Sequence, residues 1–162
     1  MRNVTLDANT PQPARRYALV LATLTALFAG RVIAQALQRW SPVSWLPPFD
    51  AFQGSNLSYT VLLTSQLVLL ALMVAVTVRV AARAQRANAR AARVLAWLGG
   101  LYMGGSLGRI ALGLTLEDAP PWFTAWISAV FHLVLAAFVL TLAAYYNAAP
   151  RPSVAVNEET LA

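Results

Sequence analysis

The sequence predicts an all-α integral membrane protein, a four-helix bundle, on three observations. Of its 162 residues 59% are hydrophobic and only 11% are charged, whereas a soluble domain has about 25% charged residues. Four apolar runs are near the ~20 residues that a helix needs to cross ~30 Å of hydrocarbon. Most of the arginines lie in the segments that flank these runs. A chain of this size cannot hide so much apolar surface in one small globule, so lipid is the expected solvent.

The four predicted spans cover about residues 17–37, 59–80, 94–115 and 123–146. They form one transmembrane domain over residues 14–148. Segments 1–13 and 149–162 are polar and contain prolines, and we expect them to be disordered cytoplasmic tails. A β-barrel is excluded because its strands would alternate in polarity over ~10 residues each.

The charge pattern predicts the topology. The net charge of +6 comes from twelve basic residues, all of them arginine. With four spans, nine arginines fall on one side, which places both termini and the 81–93 link in the cytoplasm. The stretch "RVAARAQRANARAAR" (79–93) flanks two predicted helices, which indicates a topology signal in contact with lipid heads and not a nucleic-acid site. The absence of lysine and the many alanines indicate a GC-rich bacterial genome, so we expect the bacterial inner membrane.

A cleaved signal peptide is the alternative reading of the first run. Arg15 and Arg16 would form its n-region, and "AQA" at 34–36 its cleavage site. The stretch before the apolar run is long, and Arg31 interrupts the approach to the site. We therefore expect the first run to remain as a span.

Strong polar residues recur at one depth of the predicted membrane, one from each span. At 1.5 Å per residue, Arg31 lies about 21 Å and Arg109 about 22 Å from the cytoplasmic ends of their helices. Gln66 and His132 lie about 10 and 13 Å below the outer ends of theirs. All four therefore reach one layer in the outer half, with Gln35 one turn above Arg31 on the same face.

Each member of this layer allows a plain interpretation. The arginines could snorkel to the outer headgroups, Gln66 could join two helices, and His132 could donate to a carbonyl. The functional interpretation is a ligand-binding pocket formed by Arg31, Gln35, Gln66, Arg109 and His132. Burying a guanidinium in lipid costs ~2.5–3.5 kcal/mol on insertion scales, so a paired arrangement is favoured.

A pocket that contains two guanidinium groups requires an anion. The outer loops offer three candidate counter-ions: Asp50, Glu117 and Asp118. If these residues stay outside, an anionic headgroup, a carboxylate or a quinone-type oxygen would fit.

The third span has a glycine pattern of its own. Gly100, Gly104 and Gly108 are spaced four apart and share a face, which lets helix backbones approach closely. Packing inside the bundle is the first interpretation of these glycines. A contact with a second copy of the chain and the approach of a ligand are the others.

The sequence lacks the residues that several kinds of catalysis and cofactor binding require. There is no cysteine, no intramembrane Asp or Glu, and a single histidine, so thiolate catalysis, a proton-exchange carboxylate and bis-histidine haem ligation are excluded. No Ser–His–Asp set, metal-ligand cluster or phosphate-binding loop is visible. The sequence therefore identifies no catalytic residue, no metal site and no cofactor.

Two segments carry a resemblance: "LPPFDAFQGSNLSYTVLLTSQLVLLALM" (46–73) and "FHLVLAAFVLTLAAYY" (131–146). In these the chain resembles small uncharacterised bacterial four-span membrane proteins, over about residues 27–146. The resemblance implies the four-span fold and brings no activity, cofactor or partner.

The expected function is that of a non-enzymatic subunit of a larger membrane complex, or of a bundle that binds a lipid or small molecule. A small oligomeric transporter or channel is the first alternative, and a quinone-linked membrane enzyme or redox accessory is the second. The expected partners are membrane lipid and either other membrane subunits or a second copy of the chain.

Overall fold

The computed structural model describes residues 12–52, 58–82, 88–116, 123 and 125–148. These residues form helices and connecting turns with no β-strand, which confirms the all-α class. The helices are α1 (Gln12–Trp40), α2 (Phe49–Phe52), α3 (Tyr59–Ala81), α4 (Ala89–Thr115) and α5 (Trp126–Ala148). Helix α1 includes residues 12 and 13, which we expected in the tail. The remainder of both predicted tails lies outside the described residues.

Three of the described helices are long and apolar enough to cross a membrane: α1 over Ala14–Trp40, α3 and α5. Helix α4 is longer than α3 but is not among them. Six glycines and three arginines within α4 lower its hydropathy, because neither residue type has a favourable transfer into hydrocarbon.

Helix α4 begins at Ala89, five residues before the predicted span. The reason is a cap: Asn88 has an extended backbone, and its side-chain oxygen accepts from the backbone N–H groups of Arg90 at 3.1 Å and Ala91 at 3.0 Å. Such a side chain satisfies donors that have no partner at a helix start. The last two arginines of the basic stretch, Arg90 and Arg93, therefore lie within α4.

The four long helices pack as an open row in the order α3, α1, α5, α4. Helix α1 packs against α3 on one side and α5 on the other, and α4 packs extensively against α5. Among the described residues α3 and α4 make no comparable contact with each other. The predicted bundle is therefore open along one side, between its two outer helices.

The apolar core lies between α1, α3 and α5, mostly away from α2. In lipid such a core stabilises the helices by close packing, since surrounding acyl chains are equally apolar. Tyr17 of α1 and Tyr145 of α5 meet edge-on beside this core, with 5.7 Å between their ring centroids. The buried members of the core are Leu21, Phe28, Val32, Met73, Val80, Phe138, Leu142 and Tyr145.

The turn that leads from α1 to α2 is organised by one buried side chain, Gln38. Its Nε2 donates to the carbonyls of Val43, Leu46 and Pro47 at 2.7–3.1 Å, and its Oε1 accepts from Val43 N at 2.9 Å. These hydrogen bonds fix the conformation of the turn that follows α1. Helix α2 follows it and contacts α1 and α5.

Candidate functional site

A cavity of about 560 Å³ lies toward the end of the long helices that is nearer α2. All five helices contribute to it. Because α3 and α4 both line it without packing together, the cavity occupies the gap between them, with α1 and α5 behind it. The lining residues are Phe28, Arg31, Phe52, Leu62, Ser65, Gln66, Leu69, Leu101, Tyr102, Gly105, Ser106, Arg109, Ser128, Phe131, His132 and Leu135.

Arg31 of α1 is only 7% exposed. Its Nη1 donates to Gln35 Oε1 at 3.2 Å, one turn along the helix, and its Nη2 donates to Phe52 O at 3.1 Å. The guanidinium also lies 5.6 Å from the ring centroid of Phe131, a cation–π distance. Both hydrogen-bond partners are neutral oxygens, so they orient the guanidinium without neutralising its charge.

Gln35 joins this arginine to α3. It is 1% exposed, and its Oε1 accepts a second hydrogen bond from Gln66 Nε2 at 3.2 Å. Two donors meet at this oxygen, which fixes the orientation of both amides. Gln35 Nε2, Gln66 Oε1 and Arg31 Nε are buried and find no hydrogen-bond partner among the described residues.

Arg109 brings a second guanidinium to the cavity from α4. It is 7% exposed, and its Nη2 donates to Ala125 O at 3.4 Å, just before α5. Tyr102 lies two turns away on the same face of α4. Ser106 lies between them and donates to Tyr102 O at 2.8 Å.

His132 completes the polar layer from α5. Its Nδ1 lies 2.6 Å from Ser128 O. A carbonyl oxygen only accepts, so Nδ1 carries the hydrogen in this arrangement and Nε2 is left as an acceptor when the ring is neutral. The imidazole meets the Tyr102 ring edge-on, 5.6 Å between centroids.

The structure thus brings together the four residues that the sequence placed at one depth. Arg31, Gln66, Arg109 and His132 all line the cavity, while Gln35 lies behind it as the hydrogen-bonding link. Their role in ligand binding stays a prediction.

The candidate counter-ions are placed differently. Asp50 is exposed at the start of α2 and is absent from the residues that line the cavity. It does not fold inward, because α2 turns Phe52 inward instead, 4% exposed. Glu117 and Asp118 lie outside the described residues.

Gly100, Gly104 and Gly108, which we expected to pack inside the bundle, make no such contact with the described part of the chain. All three are exposed, and a Cβ built on each meets no described residue within 4 Å. Gly99 is the packing glycine, since its Cβ would lie 2.9 Å from the Leu140 side chain of α5. A contact of the exposed glycines with a second copy stays a prediction.

Sequence reasoning missed three contributors to this region. Gln38 follows Arg31 and Gln35 at the i, i+4, i+7 spacing of one helix face, so the pattern for it was present. Ser106 lies on the helix face that Tyr102 and Arg109 share, which is a weaker signal. No pattern points to Phe52, whose backbone oxygen receives a hydrogen bond across 21 positions of chain.

The chemistry available in the cavity is recognition by hydrogen bonds and charge. Guanidinium groups donate to carboxylate, phosphate or carbonyl oxygens, and an amide oxygen and an imidazole nitrogen accept. Among the described residues no three His, Cys, Asp or Glu side chains lie together as metal ligands would.

Comparison with protein-family models, with curated proteins and with solved structures finds no match for this chain.

Proposed function

We propose that the chain is a four-span membrane protein that binds an amphiphile in the cavity between α3 and α4. It acts by binding, alone or as a subunit of a larger membrane complex, in the inner membrane of a bacterium. The likeness to small bacterial four-span proteins is part of this proposal.

The fourth span of the proposal is α4. It has 27 residues, enough to cross ~30 Å of hydrocarbon at 1.5 Å per residue. It packs extensively against α5, one of the three apolar helices. A helix packed beside a spanning helix shares its environment, and the glycines that lower its hydropathy are common in membrane helices.

The orientation follows from the basic residues. Arg15, Arg16, Arg79, Arg90 and Arg93 lie near one set of helix ends, and all are exposed. An excess of arginine beside the spans marks the cytoplasmic side. Both termini are then cytoplasmic, and α2 and the cavity lie toward the outer face.

The observation that carries the binding proposal is the position of the cavity in the row. A gap between two outer helices of a membrane protein opens sideways to lipid, so a molecule already in the bilayer can enter without crossing water. The gap has a polar layer at Arg31, Gln66 and Arg109 and apolar walls at Leu69 and Leu101. A polar head at the layer and an apolar chain along the walls would match this division.

Two neighbouring glycines of α4 provide the test. Gly105 lines the cavity, whereas Gly104 does not, and a Cβ on either would meet no described residue within 4 Å. Gly105→Phe would fill the cavity, and Gly104→Phe adds the same bulk to an adjacent face of the helix, about 100° away, which does not line the cavity. The full chain and both variants are purified in a non-ionic detergent, and the co-purified amphiphiles are extracted and identified by mass spectrometry.

We expect one class of amphiphile to accompany the wild-type chain and Gly104→Phe in a fixed ratio, and to be depleted from Gly105→Phe. Lipid that merely surrounds the helices would be equal in all three samples. That result, or the absence of any retained amphiphile, would contradict the proposal.

A further inference from the structure

We infer that the polar head in this cavity is an oxyanion, a carboxylate or a phosphate, held by Arg31. This inference rests on the proposed function and adds the sign of the charge that the ligand carries. The first supporting observation concerns the burial and the hydrogen-bond partners of Arg31. The guanidinium is buried, and its two hydrogen-bond partners, Gln35 Oε1 and Phe52 O, are uncharged.

The surroundings of Arg31 supply no negative charge from the part of the chain that the structure describes. None of the described residues lining the cavity is acidic. Asp50, the only acidic residue among those described, is exposed on α2. Arg109, on the opposite wall, contributes a charge of the same sign as Arg31. An arginine within a span ordinarily pairs with another ionisable group or with backbone carbonyls. Arg31 has one such carbonyl, Phe52 O, and no partner of opposite charge among the described residues.

A neutral head would not provide that charge. The carbonyl oxygens of a quinone would add another neutral acceptor to an arginine that already has two. A carboxylate or phosphate forms shorter and stronger hydrogen bonds with guanidinium and can accept two of them side by side. Arg31 Nε, which has no hydrogen-bond partner in the part of the chain that the structure describes, is a third donor of the same planar group.

The ligand has two candidate sources, a free fatty acid and an anionic phospholipid. Paired probes separate charge from chain and one source from the other. Oleate is compared with oleyl alcohol, and dioleoylphosphatidylglycerol with dioleoylglycerol. Each is added to the delipidated full chain in a non-ionic detergent at alkaline pH, where oleate is ionised, and Kd and the shift in Tm are measured.

We expect oleate or the phosphatidylglycerol to raise the Tm and to bind about tenfold or more tightly than its uncharged partner, the range expected for a hydrogen-bonded charge. If oleate alone does so, the source is a fatty acid. If the phospholipid alone does so, the source is a lipid headgroup.

Two variants locate the site. Arg31→Gln should lose that preference, while Arg39→Gln, at an exposed arginine of the same helix outside the cavity, should keep it. Because Arg31→Gln could fail to fold, Gln35→Glu is the second variant. It places a carboxylate where Gln35 Oε1 already accepts from Arg31, so it neutralises the arginine internally and should abolish oxyanion binding in a folded protein.

If the charged and uncharged probes bind equally well, and Gly105→Phe blocks both, the inference of an oxyanion is wrong. The proposal of an amphiphile site would then still hold. Undiminished oleate binding by Gln35→Glu would also overturn the inference of an oxyanion. Failure of every probe to bind, with Gly105→Phe indistinguishable from Gly104→Phe, would defeat the proposed function as well.

Discussion

Gln66 of α3 donates to Gln35 of α1 across 3.2 Å, and the same Gln35 oxygen accepts from Arg31. One buried amide therefore holds a charged side chain and a neighbouring helix at the level of the cavity. Interhelical hydrogen bonds in membranes contribute about 0.6 kcal/mol on average, whereas a buried donor left without its acceptor costs about 1–3 kcal/mol.

These magnitudes predict an order of effects. Gln66→Leu removes one donor and should lower the free energy of unfolding by about 0.6 kcal/mol. Gln35→Leu removes the acceptor of both donors and should lower it by about 1–3 kcal/mol. Reversible unfolding of the purified chain in mixed micelles measures both. A larger effect of Gln66→Leu than of Gln35→Leu would contradict the network.

The two kinds of glycine on α4 predict opposite responses to the same substitution. Gly99→Leu places a side chain against Leu140 and should destabilise the α4–α5 contact by about 1–3 kcal/mol, the usual cost of overpacking. Gly104→Leu meets open space and should leave the Tm of the monomer unchanged. Thermal unfolding of both variants is the measurement.

The oligomeric state of the same two variants separates packing from association. A shift toward monomer in Gly104→Leu alone would support a contact of this face with a second copy. A loss of monomer stability in Gly104→Leu as large as that in Gly99→Leu would show that the helix faces are assigned wrongly.

The hydrogen bonds of Gln38 predict that its replacement loosens the turn between α1 and α2. Gln38→Leu removes its hydrogen bonds to three carbonyls and one N–H between Val43 and Pro47. Protease added to the outer face of intact spheroplasts should then cleave segment 41–48 faster than in the wild type. Arg39→Gln, at the exposed residue next to Gln38, is the control and should leave the cleavage rate unchanged. Equal cleavage rates in Gln38→Leu and wild type would show that the hydrogen bonds of Gln38 do not hold this turn.

The topology is tested with reporter fusions. Reporters joined after residue 86 and after residue 118 should lie in opposite compartments, since α4 separates the two positions in the four-span proposal. The fusion after residue 86 should be cytoplasmic, as the arginine bias requires. The same compartment for both would remove α4 from the spans.

Part of this fold follows from the sequence alone. The apolar runs at 59–80 and 123–146 correspond closely to α3 and α5, because long apolar runs with few charges have well-marked ends. The common level of Arg31, Gln66, Arg109 and His132 follows from the rise per residue and the alternating direction of the helices.

The rest depends on tertiary contacts that no periodicity encodes. Four apolar helices allow several lateral orders, so the open row with α3 and α4 at its edges was not predictable. The periodicity of α4 likewise does not tell whether the face of Gly99 or that of Gly104 meets α5. The contact of Arg31 with Phe52 O depends on the path of a turn, which hydropathy does not specify.

Photo-crosslinking shows whether an amphiphile lies between α3 and α4. A fatty acid that carries a diazirine in its chain is bound to the full chain and irradiated, and the labelled residues are mapped by peptide mass spectrometry. We expect labelling of cavity walls such as Leu69 and Leu135, which should be lost in Gly105→Phe and retained in Gly104→Phe. Labelling spread evenly over exposed residues outside the cavity, such as Leu19 and Val68, and unchanged by Gly105→Phe, would contradict the proposed site.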